Sequence, residues 1–138
     1  MQAKTDMMAA QAEQYVYIDA SDGDKSYAMN PQLCMGENLA DLGGLSLSLQ
    51  ALKHRLAAAN VDETTMKASL RVAFKSWANI WKRNIKKDTR IQRLTSDPHA
   101  PEDFRGCLVA NMAEFYDCFD VKEGDKMFIA PENRVRMW

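Results

Sequence analysis

Glu37 and Asp41 stand four residues apart in an otherwise apolar run, Gly36-Glu37-Asn38-Leu39-Ala40-Asp41-Leu42-Gly43-Gly44-Leu45. On a helix this spacing puts both carboxylates on one face, one turn apart. Leu39, Leu42, Ser46 and Leu49 fall on another face and read as packing. Carboxylates set among apolar neighbours are costly unless a cation, a metal or hydrogen-bond donors meet them. The ordinary alternative is a solvated helix face, because Glu and Asp are rarely buried. The flanks Leu39, Ala40, Leu42, Leu45 and Leu47 leave little room for one. Gly43 and Gly44 each cost about 1 kcal/mol inside a helix, which predicts something close against the backbone there. A second stretch with chemistry in it is Asp97-Pro98-His99-Ala100-Pro101, leading to Phe104-Arg105. Prolines on both sides of His99 fix its backbone, as a rigidly placed proton donor requires; a solvent-exposed loop histidine is the plain alternative. For Arg105 the plain alternative is a salt bridge to Asp97 or Asp103. His54, between Lys53 and Arg55, reads as a surface residue.

Several elements must position these groups. Apolar spacing over Gln2–Ile18 predicts a helix, and Ser21-Asp22-Gly23-Asp24 marks a loop over Ala20–Asn30. The carboxylate helix is expected from about Glu37 to about Leu56, with Pro31 just ahead of it. Thr64 or Thr65 is a candidate cap for a helix from Met66 to Ile85, whose stripe of Leu70, Ala73, Phe74, Trp77, Ile80 and Trp81 is core. Lys82, Arg83, Lys86 and Lys87 are then expected as its basic end, matching the helix dipole. Asn111–Phe119 reads as a short helix, and Trp138 as an anchor docking the tail into the core.

Composition narrows the function classes. The 138 residues suit one domain with a modest core. Eighteen basic and 19 acidic residues give a net charge of −1, which offers no field for nucleic acid or an anionic membrane. No apolar run approaches the roughly 18 residues of a membrane span. Cys34, Cys107 and Cys118 cannot all pair within one chain and have no zinc-site spacing, so three reduced thiols are expected.

The residues quoted above resemble a family. Gly36 to Leu45 is similar to the GENxAD-x-GG-L element of the neprilysin-type zinc metallopeptidases, and Asp97 to Arg105 to their D-x-H-S-P-x-x-F/W-R element, with Ala100 in place of Ser. The helix carrying Phe74 and Trp81 and the tail ending in Trp138 also resemble the family. The resemblance implies a mainly α fold, the helical C-terminal segment of a zincin-type catalytic domain. It implies that Glu37 is a zinc ligand and that Asp41 orients a zinc-binding histidine. It further implies that His99 stabilises the oxyanion of the tetrahedral intermediate and that Arg105 holds a substrate carbonyl. Catalytic zinc commonly takes two histidines and a glutamate and leaves one position to water, and a metal-bound histidine needs an acceptor on its other nitrogen. Val121 and Val135 occupy positions where animal members carry cysteine, which points to a bacterial-type, disulfide-free member.

The HExxH pair of zinc ligands and its general-base glutamate occur nowhere in the chain. The expectation is a zinc-dependent metalloendopeptidase acting on oligopeptides, of which residues 1–138 form one helical domain from the C-terminal part. On its own this domain is expected to be inactive, since Glu37 alone cannot hold zinc. Peptides are the expected partners. Self-association through apolar surface around Leu39–Leu47 is a further expectation. The rival readings are a non-catalytic helical interaction module and a pseudopeptidase remnant.

Overall fold

A computed structural model of the chain describes residues 2–138. The elements in order are α1 (Gln2–Glu13), β1 (Val16–Asp19), β2 (Lys25–Ala28), α2 (Pro31–Ala58), α3 (Glu63–Ile80), α4 (Lys87–Ser96), α5 (Glu102–Cys107) and α6 (Ala113–Phe119). Short 3-10 turns lie at Ala20–Asp22, Leu108–Asn111 and Pro131–Asn133.

The first helix stops at Glu13 rather than running to Ile18. Val16, Tyr17 and Ile18 are β-branched or aromatic and alternate outward and inward, a pattern that suits a strand. β1 pairs antiparallel with β2, setting Tyr17 opposite Tyr27 and Asp19 opposite Lys25. The segment expected as loop over 20–30 is therefore a hairpin, turned by Gly23 and Asp24 at φ of 62° and 58°. Both positions use the left-handed region that glycine and Asp tolerate best.

α2 has 28 residues and is about 42 Å long at ~1.5 Å per residue. It begins at Pro31, not Glu37. Pro31 sits at the first helical position, where its missing N–H costs nothing, and the Asn30 side chain caps the end by accepting from the Leu33 N–H at 3.2 Å. The glutamate and aspartate are thereby carried in the second and third turns of a long rod. α3 is capped by Asp62, whose Oδ1 accepts from the Thr65 N–H at 2.6 Å; the cap is two or three residues ahead of the threonines. It ends at Ile80, so the lysines and arginine expected as its basic end lie beyond it. Lys87 opens α4 instead, and its ammonium reaches Asp19 at 3.1 Å, tying that helix to the hairpin.

The main core joins Leu42, Leu45 and Leu49 of α2 to Leu70 and Phe74 of α3 and to Phe115 of α6. Phe74 meets Phe115 edge-on at 5.7 Å between ring centroids, a favoured aromatic geometry. A smaller cluster of Ala12, Met29, Cys34, Leu94 and Ala100 sits at the start of α2, under the 97–101 loop. All three cysteines are free; Cys34 and Cys118 are buried and Cys107 is exposed.

The tail docks through Val135, 1% exposed, whose N–H donates to Asn111 Oδ1 at 2.8 Å. Trp138, the expected anchor, is 63% exposed. A Cβ on Gly43 would lie 3.6 Å from Met137 Cε and 3.8 Å from the Trp138 ring.

Candidate active-site face

The carboxylate pair is built by α2 alone. Asp41 is one turn beyond Glu37, and the two meet different partners. Arg105 of α5 binds Asp41 in fork geometry, Nε to Oδ2 at 2.6 Å and Nη2 to Oδ1 at 2.9 Å, with both side chains 14% exposed. Such bidentate pairs are among the stronger charge-assisted contacts. The salt bridge foreseen for Arg105 exists, but to Asp41 rather than to Asp97 or Asp103. Asp103 is taken by Arg90 at 2.6 Å and by the Tyr15 hydroxyl. The Arg105 guanidinium also lies over the Trp81 ring, 3.9 Å from its centroid, and its carbonyl accepts from Trp77 Nε1–H at 3.0 Å.

Glu37 faces His99, with 3.5 Å between Oε2 and Nε2. Both side chains are close to half exposed, so both can meet a ligand from outside. The imidazole is fixed from behind: Asp97 Oδ1 lies 2.9 Å from its Nδ1 and also accepts the His99 backbone N–H at 2.9 Å. Partial burial pushes the Asp97 carboxyl up. Donation from the His99 N–H, from Arg93 and from the imidazole outweighs that and holds it down at about 2. An ionised acceptor keeps the proton on Nδ1, so Nε2 donates when the ring carries both protons.

All four residues singled out from the sequence thus converge on one face. Sequence reasoning quoted Asp97 within its motif and Trp81 as core but gave neither a task at the site, and it passed over Arg93. An acidic residue two before a histidine is a common local cap of a turn, and Arg93 to Asp97 is an i, i+4 pair; both signals are present but unspecific. Asn38, one residue after Glu37, is fully buried, and its amide finds no hydrogen-bond partner in the protein.

Beside the carboxylates α2 carries a bare stripe. Gly36, Ala40 and Gly44 recur every four residues and are exposed, and a Cβ at Gly36 or Gly44 would meet nothing within 4 Å. Gly43 has the close neighbour expected of the glycine pair; Gly44 does not. Of the apolar surface expected over 39–47, Leu42 and Leu45 are buried and Leu47 is 55% exposed.

These residues do not close a zinc sphere by themselves. Among the described residues no group of three His, Cys, Asp or Glu side chains is placed to hold a metal. Asp41 is engaged by Arg105 and the Nδ1 edge of His99 by Asp97, which leaves Glu37, faced by His99 Nε2 at 3.5 Å, as the one carboxylate of this face with no shorter contact.

The model of peptidase family M13 matches residues 1–135. The neutral endopeptidase of Lactococcus lactis subsp. cremoris is 38% identical over 136 residues, covering 96% of this chain and 20% of that protein. Neprilysin-3 of Drosophila melanogaster is 30% identical over 116 residues, covering 80% of this chain and 14% of that protein. Among solved structures, the Mycobacterium tuberculosis zinc metalloprotease Zmp1 in complex with an inhibitor superposes with a TM-score of 0.87 at 34% identity, covering 99% of this chain and 21% of that chain. The same protein in an open state gives 0.84. The chain spans between about a seventh and a fifth of the length of these curated relatives.

Proposed function

The chain belongs to peptidase family M13, and from that membership we propose that it is the C-terminal segment of a zinc-dependent endopeptidase acting on oligopeptides. The observation that carries the proposal is the convergence of Glu37, Asp41, His99 and Arg105 on one face, with Glu37 and His99 3.5 Å apart. Glu37 offers its carboxylate as one donor to zinc. The remaining donors, an HExxH helix in the family, lie outside this chain. The bare Gly36-Ala40-Gly44 stripe supports this reading, because small residues let a second helix approach α2 closely, alongside Glu37 and Asp41.

Each residue of this chain has a task in peptide hydrolysis. His99 donates from Nε2 to the substrate oxygen that gains negative charge as the carbonyl carbon becomes tetrahedral. A donor of this kind contributes about 3 kcal/mol of transition-state stabilisation. Arg105 spends Nε and Nη2 on Asp41 and keeps Nη1 for a substrate carbonyl. Asp41 holds Arg105 with both oxygens, and each oxygen retains a second lone pair that suits the outer nitrogen of a zinc-bound histidine.

Three expected outcomes test the reading. In the complete protein, Glu37→Gln abolishes peptide hydrolysis and zinc retention. The 138-residue chain alone binds zinc weakly and cleaves nothing; cleavage by the pure, zinc-loaded chain would overturn the proposal. Without a covering helix the stripe between Leu33 and Leu47 pairs with a second copy. Sedimentation then shows a concentration-dependent mass, which Leu47→Glu lowers toward that of the monomer.

A further inference from the structure

We propose that Arg93, braced by Glu102, is a positioning residue for His99, holding Asp97 in the orientation that presents the imidazole to Glu37. The inference rests on the peptidase reading for its catalytic consequence, but its geometry stands apart from it. Arg93 Nε donates to Asp97 Oδ2 at 2.6 Å, and its Nη1 reaches Glu102 Oε1 at 3.1 Å. The same Glu102 oxygen accepts from Arg83 Nη1 at 2.9 Å. Asp97 is therefore divided: Oδ2 is held by the guanidinium, and Oδ1 holds the ring. An i, i+4 ion pair at a helix end is by itself an ordinary stabiliser worth a few tenths of a kcal/mol. What sets this one apart is that its carboxylate has a second load, the Nδ1–H of the functional histidine. The planar guanidinium holds Asp97 through one N–H and Glu102 through another, so its plane is pinned by two carboxylates at once, whereas a lysine offers only a point charge.

Asp97 closes the end of α4, and His99 is two residues beyond it in a loop bracketed by prolines. The backbone alone leaves χ1 and χ2 of the imidazole free; Asp97 removes that freedom only if Asp97 itself cannot turn. Largely buried side chains on this path (Arg93 26% exposed, Asp97 20%, Glu102 18%) lead out from a ring that is 44% exposed. The support is thus more rigid than the group it supports, which preorganisation of a donor demands.

The test is spectroscopic and uses the chain's two histidines. His54, exposed on α2 between Lys53 and Arg55, is the internal reference. With 15N-labelled histidine at one fixed pH, Arg93→Gln is expected to move both ring-nitrogen signals of His99 and leave those of His54 in place. Arg93→Lys, which keeps the charge and loses the fork, restores them in part. Unchanged His99 signals in Arg93→Gln overturn the proposal. Should that variant lose the dispersed amide spectrum of a folded protein, Glu102→Gln and Arg93→Lys decide, and unchanged ring signals in both overturn it. In the complete protein Arg93→Gln is expected to lower kcat roughly tenfold with KM unchanged, against the ~10²–10³ expected for removing a donor outright. An unaltered kcat overturns the catalytic consequence. Failure of the peptidase reading looks different: the complete protein would hydrolyse no peptide, or would keep hydrolysis in Glu37→Gln, while the ring signals still responded to Arg93.

Discussion

Asp97 is the residue on which most of the face turns, because it is the one carboxylate there held well below its ordinary range, at about 2 against 3.8. A carboxyl depressed by folding stabilises the native state above its unfolded value, and the contribution is lost as pH falls through the folded value. Asp97→Asn is therefore expected to lower Tm at pH 5–7. The gap to wild type should close between about pH 4 and pH 2. The contribution at stake is no more than about 2 kcal/mol; a gap that stayed constant down to pH 2 would refute the assignment. The types and places of Glu37, Asp41, His99 and Arg105 were legible from their motifs. Their pairing was not: that Arg105 chooses Asp41 over the nearer Asp103 depends on Asp103 already being held by Arg90 and Tyr15, which no spacing rule contains.

At the scale of elements, α4 is the part the sequence hid and the site most needs. Lys87, Arg90 and Arg93 recur along it, and a run so rich in cations reads as a helix end rather than as a helix. Each of the three meets an acidic partner from another segment or turn, Asp19, Asp103 and Asp97 respectively. The helix has one fully buried apolar side chain, Leu94, 2% exposed, set beside Cys34 and Ala100; its carbonyl accepts from the Asn30 N–H at 3.1 Å. Leu94→Ala is expected to cost about 3 kcal/mol in urea unfolding, and to speed hydrogen exchange at Asn30. A cost below about 1 kcal/mol would mean that the cationic contacts, not the core, hold α4. The long helices α2 and α3 were foreseen because their apolar stripes are periodic. Their ends were not, since Asn30-Pro31 and Asp62 act through cap geometry, and the hairpin was missed because Val16 and Ile18 also fit a helical pattern.

At the scale of the whole molecule, the two apolar clusters and the docked tail are internal to the 138 residues. Val135 closes on Asn111 and the aromatic contacts of α3 with α6 need nothing from outside. What the chain leaves open is one long side of α2, stripped to hydrogen or methyl at three successive turns. If the chain is the C-terminal segment proposed above, a seam of that kind makes the complete protein divisible. Two separately expressed polypeptides, cut ahead of residue 1, should recombine on mixing, and hydrolysis should return with second-order kinetics and saturate at one-to-one stoichiometry. Gly44→Leu, which plants a bulky side chain in the seam where a Cβ meets nothing within 4 Å of its own chain, should raise the concentration needed for half-recovery, while the melting temperature of the dilute, monomeric chain does not fall.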